Sequence, residues 1–424
     1  MDYTPRIVDS ELDVLLSDLA AVAIDGAKGV GKTATAERRA NTIYALDRPG
    51  ALELAAADPD RLLTGVPPVL IDEWQRYPAS WDLVRRAVDQ DRSPGRFILT
   101  GSAAPRATAQ LHTGAGRIVR VRMRPLALVE RLDTQPTVSL TGLLTGSRPA
   151  IVGHTDVGLE QYAEEILASG FPGLRGISDR GQRQQLDGYI DQIIDRDFPE
   201  MEYTVRNPTL LRRWIGAYAA ATSTTASNEV VRDAATPGER EKPARATTQA
   251  YRDILQRLWI VDPVPAWIPS HNHLRRLGSA SKHHLVDPAL AARAIGTDFD
   301  ALIGGRLSDL TGDGDATLLG QLFESLVTQS ARVYAQHAES TIGHLRTHQG
   351  EHEVDLIVKG RAGRVVAIEV KLARTISDRD VRHLHWLGDQ IGDDLLDKVI
   401  VTTGPDAYRR KDEVAVVPAA LLGP

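Results

Sequence analysis

Ala21-Val22-Ala23-Ile24-Asp25 runs directly into Gly26-Ala27-Lys28-Gly29-Val30-Gly31-Lys32-Thr33. No other stretch constrains the fold as tightly. The apolar run suits a strand buried in a parallel sheet, and residues 32 to 40 read as the helix that follows. Strand, glycine-rich turn and helix in that order turn backbone N–H groups at a helix N-terminus onto one anion. Residues 26 to 33 fit G-x-x-x-x-G-K-[ST]. The mechanics of that pattern give the phosphate cradle to Gly26, Ala27, Lys28, Gly29, Val30 and Gly31, the β- and γ-phosphates to Lys32, and a Mg²⁺ ion to the Thr33 hydroxyl. A glycine-rich turn without a ligand is the alternative, and the strand–loop–helix context makes it the poorer one.

Pro68-Val69-Leu70-Ile71 ends in Asp72-Glu73. An apolar strand that delivers carboxylates to the carboxyl edge of a sheet puts them where such folds bind ligands. Asp72 suits the Mg²⁺ shell and Glu73 suits polarising an attacking water. Phe97-Ile98-Leu99 ends in Thr100-Gly101-Ser102. The Thr100 and Ser102 hydroxyls read either as γ-phosphate sensors or as a plain strand-end turn. Arg117, Arg120, Arg122 and Arg124 crowd the next predicted strand. Arg120 and Arg122 alternate with apolar residues, which predicts an exposed strand face. Arg117 precedes the strand and is the arginine-finger candidate, in cis or on a neighbouring subunit.

Leu70-Ile71-Asp72-Glu73-Trp74-Gln75, Leu99-Thr100-Gly101-Ser102, Gly116-Arg117 and Pro125-Leu126 together resemble the AAA-type ATPases whose chains also carry a DUF4143 region. The similarity runs the whole length, with Lys28 standing where arginine is expected in many relatives. The resemblance implies ATP binding and slow hydrolysis.

Beyond Leu132 the chain reads as turn-rich and then helical, with helices over 162–169, 186–198 and 208–221 and a short one near 228–234. The 247–258 segment is amphipathic, with Tyr251, Ile254, Leu255 and Leu258 on one face. With short strands at 259–261 and 284–286, this pattern predicts a winged helix. Its basic wing (His271 to Arg276 and Lys282-His283-His284) is read as gripping phosphates, or else as a solvated loop joining two strands. The histidines lack metal-ligand spacing.

The C-terminal stretch predicts a β-meander. Glu353-Val354-Asp355-Leu356-Ile357-Val358 and Val365-Val366-Ala367-Ile368-Glu369-Val370-Lys371 flank a turn. Glu369 and Lys371 share one strand face about 7 Å apart, and Asp355 joins them if the hairpin register permits. Burying an acid and a lysine unpaired in an apolar strand is costly, so mutual pairing or a metal is expected. The pattern resembles the PD-(D/E)XK nuclease superfamily, and Glu324 matches the helical acid of many members. That resemblance implies catalytic roles for Glu324, Asp355, Glu369 and Lys371, with Mg²⁺ or Mn²⁺ on Asp355 and Glu369. A surface hairpin bearing a charge pair is the alternative.

The expected architecture is therefore α/β and multidomain: a P-loop AAA-type parallel-sheet ATPase over 1–133, a helical and winged-helix-like part over 134–285, and a restriction-endonuclease-like αβ domain over 286–424. With 424 residues the chain is long enough for each to bury a core. The absence of cysteine excludes disulfides and zinc–thiolate sites, and no signal peptide or membrane-length apolar run is read, so a cytoplasmic, non-membrane protein is expected. A net charge of −6 confines any nucleic-acid contact to a local patch. Two functions follow. One is an ATPase coupled to a Mg²⁺-dependent nuclease acting on nucleic acid, DNA before RNA. The other is a switch ATPase whose C-terminal domain is a scaffold or DNA-binding module signalling through a protein partner or a homo-oligomer.

Overall fold

Apolar runs without alternation demand burial on both faces, and the chain meets that demand with a parallel sheet. The computed structural model describes residues 3–102, 114–238, 242–269, 280–304, 317–347 and 350–424. The first sheet contains β1 (Ala21–Asp25), β2 (Thr42–Ala45), β3 (Val69–Asp72), β4 (Phe97–Gly101) and β5 (Val119–Arg122). Its order is β2-β3-β4-β1-β5, and every pairing is parallel. β1, β3 and β4 are buried along their whole length, whereas the edge strands β2 and β5 are partly exposed. The register pairs Ile71 with Leu99 and Asp25 with Gly101, so the ends of β1, β3 and β4 lie at one edge.

The predicted helices of the middle are present, Asn228–Ala234 as expected and the others with shifted ends: Leu159–Leu167, Asp179–Gln192, Pro208–Ala220 and Arg245–Arg257. Ser178, Asn207 and Ser227 cap three of them with side-chain oxygens. Asp179–Gln192 continues through a π-helical turn, Ile193–Asp197, into Phe198–Glu200. Pro199 has no N–H to give to the turn before it, which favours this widening. The strands expected at 259–261 and 284–286 are reduced to antiparallel bridges, Val261 with Leu285 and Val264 with Lys282. The wing tip, His271 to Arg276, lies outside the described residues. Lys282, His283 and His284 are buried, which corrects their placement in an exposed basic wing.

The second sheet is built from both sides of the helical part. β6 (Val138–Ser139) pairs with β14 (Leu422–Gly423) in a separate two-stranded sheet beside it. β7 (Gly153–His154), β8 (Thr341–Arg346), β9 (Glu353–Lys359), β10 (Val365–Lys371), β11 (Leu395–Thr402), β12 (Asp406–Arg409) and β13 (Ala415–Pro418) form a mixed sheet in the order β7-β12-β13-β11-β10-β9-β8. Residues 138–154, expected in the middle, thus complete the C-terminal layers. Along β10, Val366, Ile368 and Val370 join the large central core, whereas Val365 and Ala367 pack with the Asp378–Ile391 helix. The long Leu318–His337 helix, buried over most of its length, ties this core to the first sheet's domain. Ser330 accepts from the Leu128 N–H at 3.0 Å and Gln329 donates to the Leu126 carbonyl at 3.1 Å. Among the described residues no helix is long and apolar enough to cross a membrane.

Candidate nucleotide site and the buried carboxylate cluster

The loop between β1 and the Lys32–Glu37 helix needs its glycines. Gly26 has a φ of 157°, and a side chain there would strike the Met123 carbonyl. Gly31, with a φ of 100°, begins the helix in a left-handed conformation. Lys32 folds back on the loop, donating to the carbonyls of Gly26 at 2.9 Å and Ala27 at 2.8 Å. Burial pulls its pKa down to about 8, against the opposing pull of Glu73, Asp25 and Asp72.

Thr33 donates to Asp72 Oδ1 at 2.9 Å, and the Thr100 hydroxyl donates to the same oxygen. Hydroxyl and carboxylate on adjoining element ends form an all-oxygen donor pair that fits Mg²⁺ together with phosphate and water oxygens. Glu73 sits in the left-handed region at φ 54°. Such an outlier persists when its surroundings over-determine it. Ser102 donates to both Glu73 carboxylate oxygens at 3.0 Å, and Gln75 Nε2 donates to Oε2. Neither hydroxyl of the β4 end is thus free for a phosphate: Thr100 holds Asp72 and Ser102 holds Glu73. Gln75 figures in the sequence only within the Leu70-to-Gln75 stretch, with no role of its own; its i, i+2 spacing from Glu73 is the available signal.

The arginines fall differently from expectation. Val119 pairs with Val22 at the start of β1, so Arg117 lies at the amino edge of the sheet, opposite the loop. It pairs with Asp89 at 2.8 Å, a position that does not reach the phosphates of its own loop. Arg120 is 42% exposed and pairs with Asp25 at 2.6 Å. Arg122 does not lie on an open face. It stacks on Trp259 at 4.5 Å and, with Arg124 and Arg332, converges on buried Asp262 at 3.1, 3.0 and 2.5 Å. Burial works against the Asp262 charge, yet the three guanidiniums hold the carboxyl well below its usual range.

The helical part closes over the loop. Lys28 Nζ lies 2.5 Å from Asp197 and 3.8 Å from Glu200, and Tyr189 donates to the Lys28 carbonyl at 3.0 Å. Arg6 donates to the Val30 carbonyl at 2.9 Å. A phosphate in the cradle would compete with Asp197 for Lys28. Asp197→Asn should therefore tighten ATP binding about two- to tenfold, a modest gain because solvent still reaches the Lys28 ammonium, whose side chain is 31% exposed. An unchanged or weakened Kd by calorimetry would show that Asp197 does not compete.

The C-terminal acids meet as the β-meander predicts, but around a residue that was assigned elsewhere. Val370 N–H donates to Asp355 Oδ2 at 2.9 Å, which places Asp355 beside Glu369. Lys371 pairs with Glu369 at 2.8 Å, the mutual pairing expected of them. Lys282 Nζ lies 2.9 Å from Glu324, 3.1 Å from Glu353 and 2.9 Å from Asp355. Burial opposes this ammonium, yet the three acids hold its pKa well above the ordinary value. Burial and Asp355 push Glu324 and Glu369 each up to about 8, against the pull of the lysines. Glu369 Oε2 is buried without a hydrogen-bond partner. Among the described residues no group of three or more His, Asp or Glu side chains is arranged to hold a metal ion. The divalent ion implied by the D…E-x-K pattern does not fit this arrangement, because an ammonium stands where the acids converge. Neither Lys282 nor Glu353 was legible as part of the site. Lys282 is 73 residues from Asp355 and no local pattern links them.

Three family models match parts of the chain. Residues 19–132 match the AAA domain, residues 319–422 the domain of unknown function DUF4143, and residues 159–301 the domain of unknown function DUF8612. Residues 19–132, which hold the parallel α/β sheet and the glycine-rich loop, thus match an AAA domain, and the C-terminal layers match a DUF4143 region. Uncharacterized protein Rv2008c of Mycobacterium tuberculosis and uncharacterized protein Mb2031c of Mycobacterium bovis are each 26% identical to it over 366 residues, covering 86% of this chain and 71% of theirs. Among solved structures, the Walker-type ATPase PabY2304 of Pyrococcus abyssi aligns with a TM-score of 0.40 at 17% identity, over 69% of this chain and 96% of its own. The Aeropyrum pernix ORC2 protein aligns with a TM-score of 0.29 at 15% identity, over 72% of this chain and 97% of its own.

Proposed function

We propose that this protein is a Mg²⁺-dependent, ATP-hydrolysing switch whose C-terminal nuclease-like domain is an output module rather than a cutting centre. The observation that carries the ATPase half is the pair of oriented acids at the sheet edge. Asp72 is held by Thr33 and Thr100, and Glu73 by Ser102 and Gln75. Lys32 leaves its loop carbonyls for the β- and γ-phosphates. Thr33 and Asp72 would hold Mg²⁺, which would neutralise phosphate charge. Glu73, aimed by Ser102 and Gln75, orients the attacking water and accepts its proton. The contacts of Asp197 and Tyr189 with the loop support transmission of nucleotide state to the helical part, and onward to a DNA or protein partner.

Glu73→Gln should leave ATP binding within about threefold and lower kcat roughly a hundredfold or more, in the range of a lost general base. Steady-state phosphate release together with ATP titration checks this, and a variant turning over at the wild-type rate would remove Glu73 from the mechanism. The nuclease alternative rests on the unpartnered Glu369 Oε2 beside Lys371. A screen of single-stranded, duplex and branched DNA and RNA with Mg²⁺ or Mn²⁺ decides it: cleavage that Asp355→Ala abolishes would replace the output-module reading.

A further inference from the structure

We propose that Lys282 is the resident cation of the C-terminal carboxylate cluster, supplied by the chain in place of a divalent ion, and that removing its ammonium makes room for a divalent cation between Asp355 and Glu324. The inference rests on the nuclease-like reading of this domain and is independent of the nucleotide site.

Lys282 donates to Glu324 and to Asp355 at 2.9 Å and lies 3.1 Å from Glu353, so its ammonium sits among three carboxylates. A divalent ion bound by Asp355 and Glu324 would need oxygens at about 2.0–2.1 Å for Mg²⁺, drawn from the same convergence. Ion and ammonium therefore exclude each other. Lack of access is not the barrier, because Glu353 and Lys371 are each 32% exposed at the rim while Lys282 is only 1% exposed beneath them. The charge balance points the same way. Lys282, Lys371 and Arg346, the last 3.6 Å from Glu353, face the four carboxylates Glu324, Glu353, Asp355 and Glu369, so the chain's own cations already offset most of the acid charge. Glu369 Oε2 is the buried oxygen still lacking a partner. Burying a long charged side chain among acids is a costly way to fill a core, since apolar residues of similar volume are often at least as stable. Lys282 also arrives from outside the DUF4143 match, on the segment bridged to Val264. The helical part thus contributes a cation to the C-terminal cluster.

Mn²⁺ titration of the nucleotide-free full-length chain, followed by electron paramagnetic resonance, tests this without involving the P-loop. Wild type is expected to show no Mn²⁺ binding that depends on Asp355. Lys282→Met and Lys282→Ala, with folding checked by circular dichroism, should each gain one equivalent of Mn²⁺ at least about tenfold tighter than any wild-type binding. Asp355→Asn placed in the Lys282→Met background should abolish that gain. Wild type that binds one Mn²⁺, lost in Asp355→Asn, would overturn the proposal. So would a folded Lys282→Met protein that binds none. If both lysine variants misfold, the wild-type and Asp355→Asn titrations decide alone. Loss of ATP binding in any of these proteins would concern the nucleotide reading and not this one.

Discussion

Lys32→Ala is expected to weaken ATP binding at least a hundredfold while leaving the fold intact. The side chain is buried, and both of its hydrogen bonds go to carbonyls of its own loop, Gly26 and Ala27. Those carbonyls border a site that water enters when the ammonium is removed, so the stability cost is small. The binding cost is large. A lysine bridging two phosphates makes charge-assisted hydrogen bonds worth about 1.5–3 kcal/mol each, and losing about 3 kcal/mol lowers affinity more than a hundredfold. Calorimetric titration with a non-hydrolysable ATP analogue gives the Kd, and the melting temperature reports the fold. Binding within threefold of wild type would remove the loop's assignment as the nucleotide site. Arginine at the same position is not a conservative control, because its planar fork is longer and cannot turn back onto the two carbonyls.

Asp262→Ala is expected to destabilise the protein by about 3–5 kcal/mol, the range for breaking a buried ion pair by removing one partner. Asp262 is 6% exposed, and it gathers Arg122 and Arg124 from the ATPase end together with Arg332 from the Leu318–His337 helix. Without it, three guanidiniums face one another in a poorly solvated junction. Arg332 would keep its hydrogen bonds to the Asp262 and Pro263 carbonyls, since those come from the backbone. Asp262→Asn should lose most of the same stability, because it preserves shape and removes charge. Urea unfolding of the three proteins measures the difference. A loss below 1 kcal/mol for Asp262→Ala would mean that solvent reaches the cluster and screens it. Because the cluster joins three parts of the chain, the variant should also show a less cooperative transition.

How much of this was legible follows from the range of the interactions. β1, β3 and β4 were readable as strands because burial on both faces of a parallel sheet leaves an uninterrupted apolar run. The loop was readable because its glycines, lysine and threonine are contiguous. Asp72 and Glu73 were readable because they end a strand, and Asp355, Glu369 and Lys371 because strand alternation fixes their faces. Arg122 was misjudged for the same reason. Alternation on an edge strand predicts a polar outer face, and nothing local reveals that Asp262 and Trp259 will cover it.

The amino-acid order by itself determined the elements and the chemistry available at each end: a phosphate loop with two acids on neighbouring strands, and a hairpin with an acid and an E-x-K. Both rest on periodicity and on groups a few residues apart, which local geometry positions. Only the tertiary structure decided what those groups face. It turned Thr100 and Ser102 onto the two acids, laid Asp197 against Lys28, returned residues 138–154 to the C-terminal layers, and set Lys282 among Glu324, Glu353 and Asp355. Those are charge and hydrogen-bond pairings made across tens to hundreds of residues. Burial selects them, since an unpaired charge in the core is unaffordable, and no pattern confined to one segment records which partner will arrive.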